Sequence, residues 1–264
     1  MKKLLLALFV AFGIQTQAQL WNVQLNVDPI VSFSPATGLA GVIWIGSEFW
    51  VSKWADNNIY TADALGNMTG NFTIPGITGT RSMTTDGNYI YIGTAAAVIY
   101  QVDPITKTLI STINTSVPAC RYLTFDHTLD NGNGGFWTGA YASDIVAVSM
   151  TGTTLNSIAS STHGLTAIYG MAFDDYSVGG PYLWAFDQGG NGADIIQLTT
   201  NGTATGISYD ATTLGAGGGT AGGLFICNNF VTGTNSMIGI NQGISLFALE
   251  LADPPADDPI LTVL

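Results

Sequence analysis

Five imperfect copies of one unit run through this 264-residue chain, and a repeat of this period leaves few folds open. The clearest copy opens with Arg81-Ser82-Met83-Thr84-Thr85-Asp86, turns at Gly87-Asn88, and resumes with Tyr89-Ile90-Tyr91-Ile92-Gly93. Ile99-Tyr100-Gln101-Val102-Asp103 follows, then a Pro104-containing turn and Thr108 to Ile113. Each run is rich in β-branched and aromatic residues and each break in Gly, Asn, Asp or Pro, so each reads as strand and turn. Second runs recur at Phe49-Trp50-Val51-Ser52, Phe136-Trp137-Thr138-Gly139, Tyr182-Leu183-Trp184-Ala185 and Met237-Ile238-Gly239-Ile240. Third runs end at Asp63, Asp103, Ser149, Thr199 and Glu250, spaced 40, 46, 50 and 51 residues apart. A four-stranded propeller blade takes about that length. The sequence therefore predicts an all-β chain, a β-propeller of five four-stranded blades. Glycines between Thr199 and Ala221 leave room for a degenerate sixth copy.

A ring of blades also needs a clasp. Trp21 to Val27 precedes the first copy and reads as an outer strand, whereas the fifth copy ends soon after its third. The N-terminal strand is thus expected to complete the last blade and cover an open edge, with Ile260 to Leu264 as the alternative donor. Residues 20–251 form one domain on this reading. The Pro/Asp-rich segment 252–264 is a linker stub or a closing strand.

Lys2 and Lys3 ahead of an apolar stretch from Leu4 to Ile14, with Thr16-Gln17-Ala18 behind it, match a signal peptide over 1–18, cleaved before Gln19. The apolar stretch is too short to span a bilayer, which takes about 20 residues. The mature chain is therefore expected to be secreted, extracellular or on the cell surface, with the periplasm as the alternative. Without Lys2 and Lys3, four basic residues remain (Lys53, Arg81, Lys107 and Arg121) against eighteen acidic ones. So acidic a surface repels phosphate backbones and anionic lipid, which argues against nucleic acid and membrane insertion. Cys120 and Cys227 fall in different copies, which favours two separate buried thiols over a disulfide.

Phe49-Trp50-Val51-Ser52-Lys53-Trp54, Ile74 to Arg81, Gly180-Pro181-Tyr182-Leu183-Trp184 and Ala221 to Ile226 carry a further signal. These phrases resemble the N-terminal β-propeller domain of large bacterial surface proteins exported by the type IX secretion system. The resemblance spans nearly the whole mature chain. It implies an adhesin-like setting with further domains on a longer chain, and it supplies no catalytic residues.

In a propeller, the loops entering each inner strand and those joining second to third strands share one face around the channel. The inner-strand entries are Gly41, Arg81, Arg121, Tyr169 and Ala221. The turns after the second strand carry Lys53 and Trp54, Gly93 and Thr94, Ala140 and Tyr141, and Phe186, Asp187 and Gln188. His163 lies in the loop approaching Tyr169. The candidate ligand site is therefore Arg81, Arg121, Tyr169, Lys53, Trp54, Tyr141, Asp187, Gln188 and His163. Guanidinium forks suit carboxylates or sulfates, and aromatic faces suit sugar rings or peptide side chains. The same arginines could instead tie adjacent blades together.

Catalytic signals are sparse: two histidines, two glutamates, and no nucleophile elbow, phosphate loop or zinc spacing. No cofactor is expected. The oxygen-rich turns at Asp126 to Gly135 and Asp174-Asp175 raise calcium as an alternative, but Asn, Asp and Gly also serve tight turns. The leading expectation is a non-catalytic recognition or adhesion module binding extracellular glycan or protein. The rivals are an exported propeller hydrolase or cyclase, with Asp187 as its one plausible carboxylate, and a purely structural spacer.

Overall fold

Four-strand copies give four-strand sheets, and the computed structural model, which describes residues 19–28, 38–54 and 56–251, contains five of them. The expected leader 1–18 and the segment 252–264 lie outside the described residues. Blade one is β2 (Leu39–Trp44), β3 (Phe49–Lys53), β4 (Ile59–Ala62) and β5 (Met68–Phe72). Blade two is β6 (Thr80–Thr85), β7 (Ile90–Thr94), β8 (Val98–Asp103) and β9 (Thr108–Asn114). Blade three is β10 (Tyr122–Asp126), β11 (Gly135–Gly139), β12 (Ile145–Ser149) and β13 (Thr154–Ile158). Blade four is β14 (Ile168–Asp174), β15 (Tyr182–Asp187), β16 (Asp194–Thr199) and β17 (Ala204–Asp210). Blade five joins β18 (Ala221–Cys227), β19 (Asn235–Asn241) and β20 (Ser245–Leu251) to β1 (Val23–Val27). The chain is a five-bladed β-propeller. The stretch that left room for a sixth copy is β17 followed by a short 3-10 turn, Ala211–Thr213.

The clasp is the N-terminal strand, antiparallel to β20. Trp21 N–H donates to the Glu250 carbonyl and Glu250 N–H to the Asn22 carbonyl, both at 2.8 Å. The Trp21 ring then packs edge-on against Trp184 at 5.3 Å, stapling blade five to blade four. Every pairing of an outer strand with its neighbour carries a register shift. Such bulges twist an exposed edge away from edge-to-edge pairing.

The core lies between blades, not within a single central mass. Trp137, Met171 and Leu183 pack between blades three and four, and Tyr91, Leu123 and Phe136 between blades two and three. Trp50, Trp184, Tyr91 and Tyr122 are fully buried, as strand aromatics in a propeller should be. Their polar tips are met. Asp126 Oδ2 accepts from Trp137 Nε1 and Asp174 Oδ2 from Trp184 Nε1, each at 2.9 Å, while Asp86 Oδ2 accepts from the Tyr91 hydroxyl. Neighbouring inner strands are also tied: Phe125 N–H donates to Thr84 Oγ1, and Phe173 N–H to Thr124 Oγ1. Glycine lets these strands close up; a Cβ on Gly223 would lie 2.7 Å from the Gly41 Cα. Both cysteines are free and buried, and burial pushes the Cys227 thiol up to about 11. Among the described residues no helix is long and apolar enough to cross a membrane.

Candidate functional site

The strand pleat decides which side chains can reach the channel mouth, because successive residues point to opposite faces. The inner strands bulge where they begin. Arg81 is the extra residue between the paired Thr80 and Ser82, and Tyr169 the extra residue between Ile168 and Gly170. A bulged residue leaves the ladder and its side chain is re-aimed. Arg121 sits just before β10, with its N–H on the Gly139 carbonyl at 2.9 Å. Ala40 and Gly222 complete this ring in blades one and five, each one residue from the sequence-based alignment at Gly41 and Ala221, because those strands bulge too.

These five positions and the turns after the second strands enclose a cavity of about 330 Å3. Arg81, Arg121, Trp54, Tyr141, Tyr169 and Gln188 all line it. The guanidinium carbon of Arg81 stands 5.2 Å from the Trp54 ring centre and that of Arg121 4.5 Å from Tyr141. Tyr141 meets Tyr169 edge-on at 5.2 Å. Neither guanidinium makes an ion pair among the described residues. Burial, and next the positive charge of Arg121, pull the Arg81 pKa down from its usual value, so the site already holds two like charges in opposition. Arg81 Nε and Gln188 Oε1 are buried without hydrogen-bond partners. Native structures retain such orphaned donors and acceptors mainly where a ligand, water or ion completes the bonding. Burial also raises the Tyr169 pKa, with Tyr141 adding to it, which keeps that phenol neutral.

Three expected members stand behind the cavity. Lys53 precedes Trp54 and Asp187 precedes Gln188, so alternation turns each away from the mouth when its neighbour faces it. Lys53 is buried with its ammonium 3.0 Å from Asp56 Oδ2, and that hydrogen bond raises its pKa. Asp187 is buried and accepts from the Ala167 N–H at 2.6 Å, fixing the entry to β14. His163 ends a short helical turn, Ser160–His163. Its Nδ1 accepts from the Leu165 N–H at 3.1 Å, which leaves Nε2 to donate to the Ser143 carbonyl at 3.2 Å. It braces the turn that presents Tyr141, a residue at φ +53°, where a bulky side chain is strained.

Thr220 and Gln242 also line the mouth and were not among the candidates. Gln242 follows β19 as Trp54 follows β3 and Gln188 follows β15, so extending the repeat alignment to the fifth copy finds it. Its Nε2 donates to the Ala221 carbonyl at 2.8 Å.

The oxygen-rich turns lie at the other end of the inner strands. Asp126 Oδ1 accepts from the Thr128 N–H and hydroxyl, and Asp174 Oδ1 from the N–H groups of Tyr176 and Ser177. Their second oxygens hold the two indoles, so both carboxylates are committed to the turn and the core. Among the described residues, no group of three or more His, Cys, Asp or Glu is placed to hold a metal ion.

No protein-family model matches the chain, and no curated protein matches it. Among solved structures, it is similar to the crystal structure of a glutaminyl cyclase from Myxococcus xanthus, with a TM-score of 0.60 at 13% identity. The match covers 83% of this chain and 93% of that one. At that identity the likeness concerns the fold.

Proposed function

We propose that this propeller is an extracellular recognition module whose arginine-lined mouth binds a carboxylate or sulfate group carried on a glycan or protein. One observation carries the reading: in a chain this acidic, two guanidiniums converge on one cavity and neither has a carboxylate partner among the described residues. Arginine forks bind planar anions through paired hydrogen bonds, and the Trp54, Tyr141 and Tyr169 rings offer surface for whatever bears the anion. The signal peptide read from the sequence, and the resemblance to propellers of exported surface proteins, support the extracellular setting.

The structural neighbour favours a second reading, a propeller cyclase. Cyclisation of a glutaminyl substrate needs one group to accept the attacking amine's proton and another to protonate the leaving ammonia. Among the residues lining the mouth, only the two tyrosines could serve, and burial holds Tyr169 neutral. The nearest sequence candidate, Asp187, is occupied by a backbone amide. That shortage of acid–base groups is why binding is the preferred function.

Two assays on the purified protein separate the readings. The first titrates N-acetyltyrosine, glucuronate and glucose 6-sulfate, following the fluorescence of Trp54, which is 48% exposed at the rim. The second measures ammonia released from glutaminyl peptides. Saturable anion binding without turnover supports recognition. Turnover that falls in Asp187→Asn supports the cyclase. If the folded protein shows neither, the arginine mouth is not the anion site or cyclase centre tested, and the spacer reading is favoured for that end.

A further inference from the structure

Four residues beyond each mouth position, the same five inner strands present Trp44, Thr85, Phe125, Phe173 and Ile226 to a second and larger cavity of about 590 Å3. That volume lies within the range of small-molecule sites, about 300–1,000 Å3. No lysine or arginine lines it, in contrast to the first mouth. Its histidine faces an aspartate, and burial favours the neutral forms of its thiol and phenol. His127 Nδ1 lies 3.6 Å from Asp175 Oδ2, the Cys227 thiol is pushed up to about 11 by burial, and burial likewise raises the Tyr176 phenol.

The floor and the rim of this cavity differ. Trp44, Phe125 and Phe173 form an aromatic floor, with Trp44 held in place by Phe49 at 4.8 Å and Phe230 at 5.2 Å. The rim carries Asn88, Asn228 and Asn229, all exposed, whose side-chain amides make no hydrogen bond among the described residues. Each amide offers two donors and one acceptor oxygen. Several turn residues elsewhere on this propeller are spent on their own turns, as Asp86 Oδ1 is on the Asn88 and Tyr89 N–H groups. Among the described residues the three amides have no partner.

We propose that this second cavity is a binding site for a neutral saccharide, a hexopyranose ring or the end of an oligosaccharide. A pyranose has C–H faces that settle on aromatic rings, and vicinal hydroxyls that donate and accept together, which matches side-chain amides. An anion finds no lysine or arginine there. An aromatic side chain would use the floor but has at most one polar tip for three amides. The site is independent of the arginine mouth, so the two stand or fall separately.

The test titrates the full chain with methyl β-D-glucopyranoside, methyl β-D-galactopyranoside and methyl α-D-mannopyranoside, read by saturation-transfer NMR and tryptophan fluorescence. The three methyl glycosides are run against wild type, Asn228→Ala/Asn229→Ala and Arg81→Glu/Arg121→Glu, with tyrosinamide as the aromatic control. Expected is saturable binding of at least one glycoside, weakened about tenfold by the asparagine pair and unchanged by the arginine pair. Trp44→Phe should abolish the fluorescence response; because that ring is packed, the exposed asparagine pair is the deciding variant. Absence of glycoside binding, binding indifferent to the asparagines, or tyrosinamide binding alone would each overturn the proposal.

Discussion

The two ends of the channel are built from the same five inner strands, four residues apart, yet they share almost no chemistry. One end holds Arg81 and Arg121 among Trp54, Tyr141 and Tyr169; the other holds an aromatic floor and spare amides without a lysine or arginine. Both sets line a cavity at their end of the channel, so the scaffold offers the same positions twice. The difference lies in the side chains placed at equivalent positions, and at the first end also in bulges that take Arg81 and Tyr169 out of the ladder. The five blades share one four-stranded plan, and the two ends differ where the five copies diverge.

The contrast depends on a scaffold common to both ends, and the largest expected effect comes from breaking it. Gly223→Ala puts a Cβ against the Gly41 Cα where two inner strands touch. It should cost about 3 kcal/mol or more in denaturant unfolding and impair both cavities together. Asp174→Ala removes the acceptor for Trp184 Nε1 and two turn amides at the far end, and should cost about 3 kcal/mol. It should leave anion binding at the arginine end within about twofold of wild type, since the two ends are separately built. A large loss there would show that the ends are coupled.

The scaffold was legible in the sequence because strands and turns are local and each copy corroborates the others. Even the clasp could be read, since an unpaired Trp21-to-Val27 strand and a three-stranded fifth copy leave each other incomplete. The site was only half legible. Sequence alignment finds the turn after β3 but not which of Lys53 and Trp54 faces the channel; the pleat decides that, and one misjudged residue exchanges core for cavity. His163 was missed as a brace because its partners, Ser143 and Leu165, meet it only through tertiary packing. Gln242 was within reach and needed only the fifth copy to be carried through the same alignment.

Smaller effects sharpen the contrast. Tyr141→Gly relieves a left-handed tyrosine while removing the ring over Arg121. Stability should change by less than about 1 kcal/mol, while anion affinity falls about tenfold. The smallest effect concerns pH. Guanidiniums stay protonated across the ordinary range, so anion affinity should be flat between about pH 5 and 9. Stability should not stay flat in acid. Hydrogen bonds from Asn67 hold the Asp63 carboxyl below its usual 3.8, and those from Thr106 and Ile105 do the same for Asp103. A depressed carboxyl stabilises the fold above its unfolded value, and that contribution is lost as pH falls through the folded one. Thermal melting should therefore drop below about pH 4, with the far-end turns that carry these two residues loosening there.

Charge reversal tests most sharply whether the two guanidiniums, unpaired among the described residues, make one end of the channel an anion site. Calorimetric titration of Arg81→Glu/Arg121→Glu would use N-acetyltyrosine beside its cationic counterpart tyrosinamide, with the wild-type protein in parallel. N-acetyltyrosine affinity should fall by about 100-fold or more while tyrosinamide binding appears in its place. Anion binding of unchanged strength in a folded variant would contradict the anion-site reading.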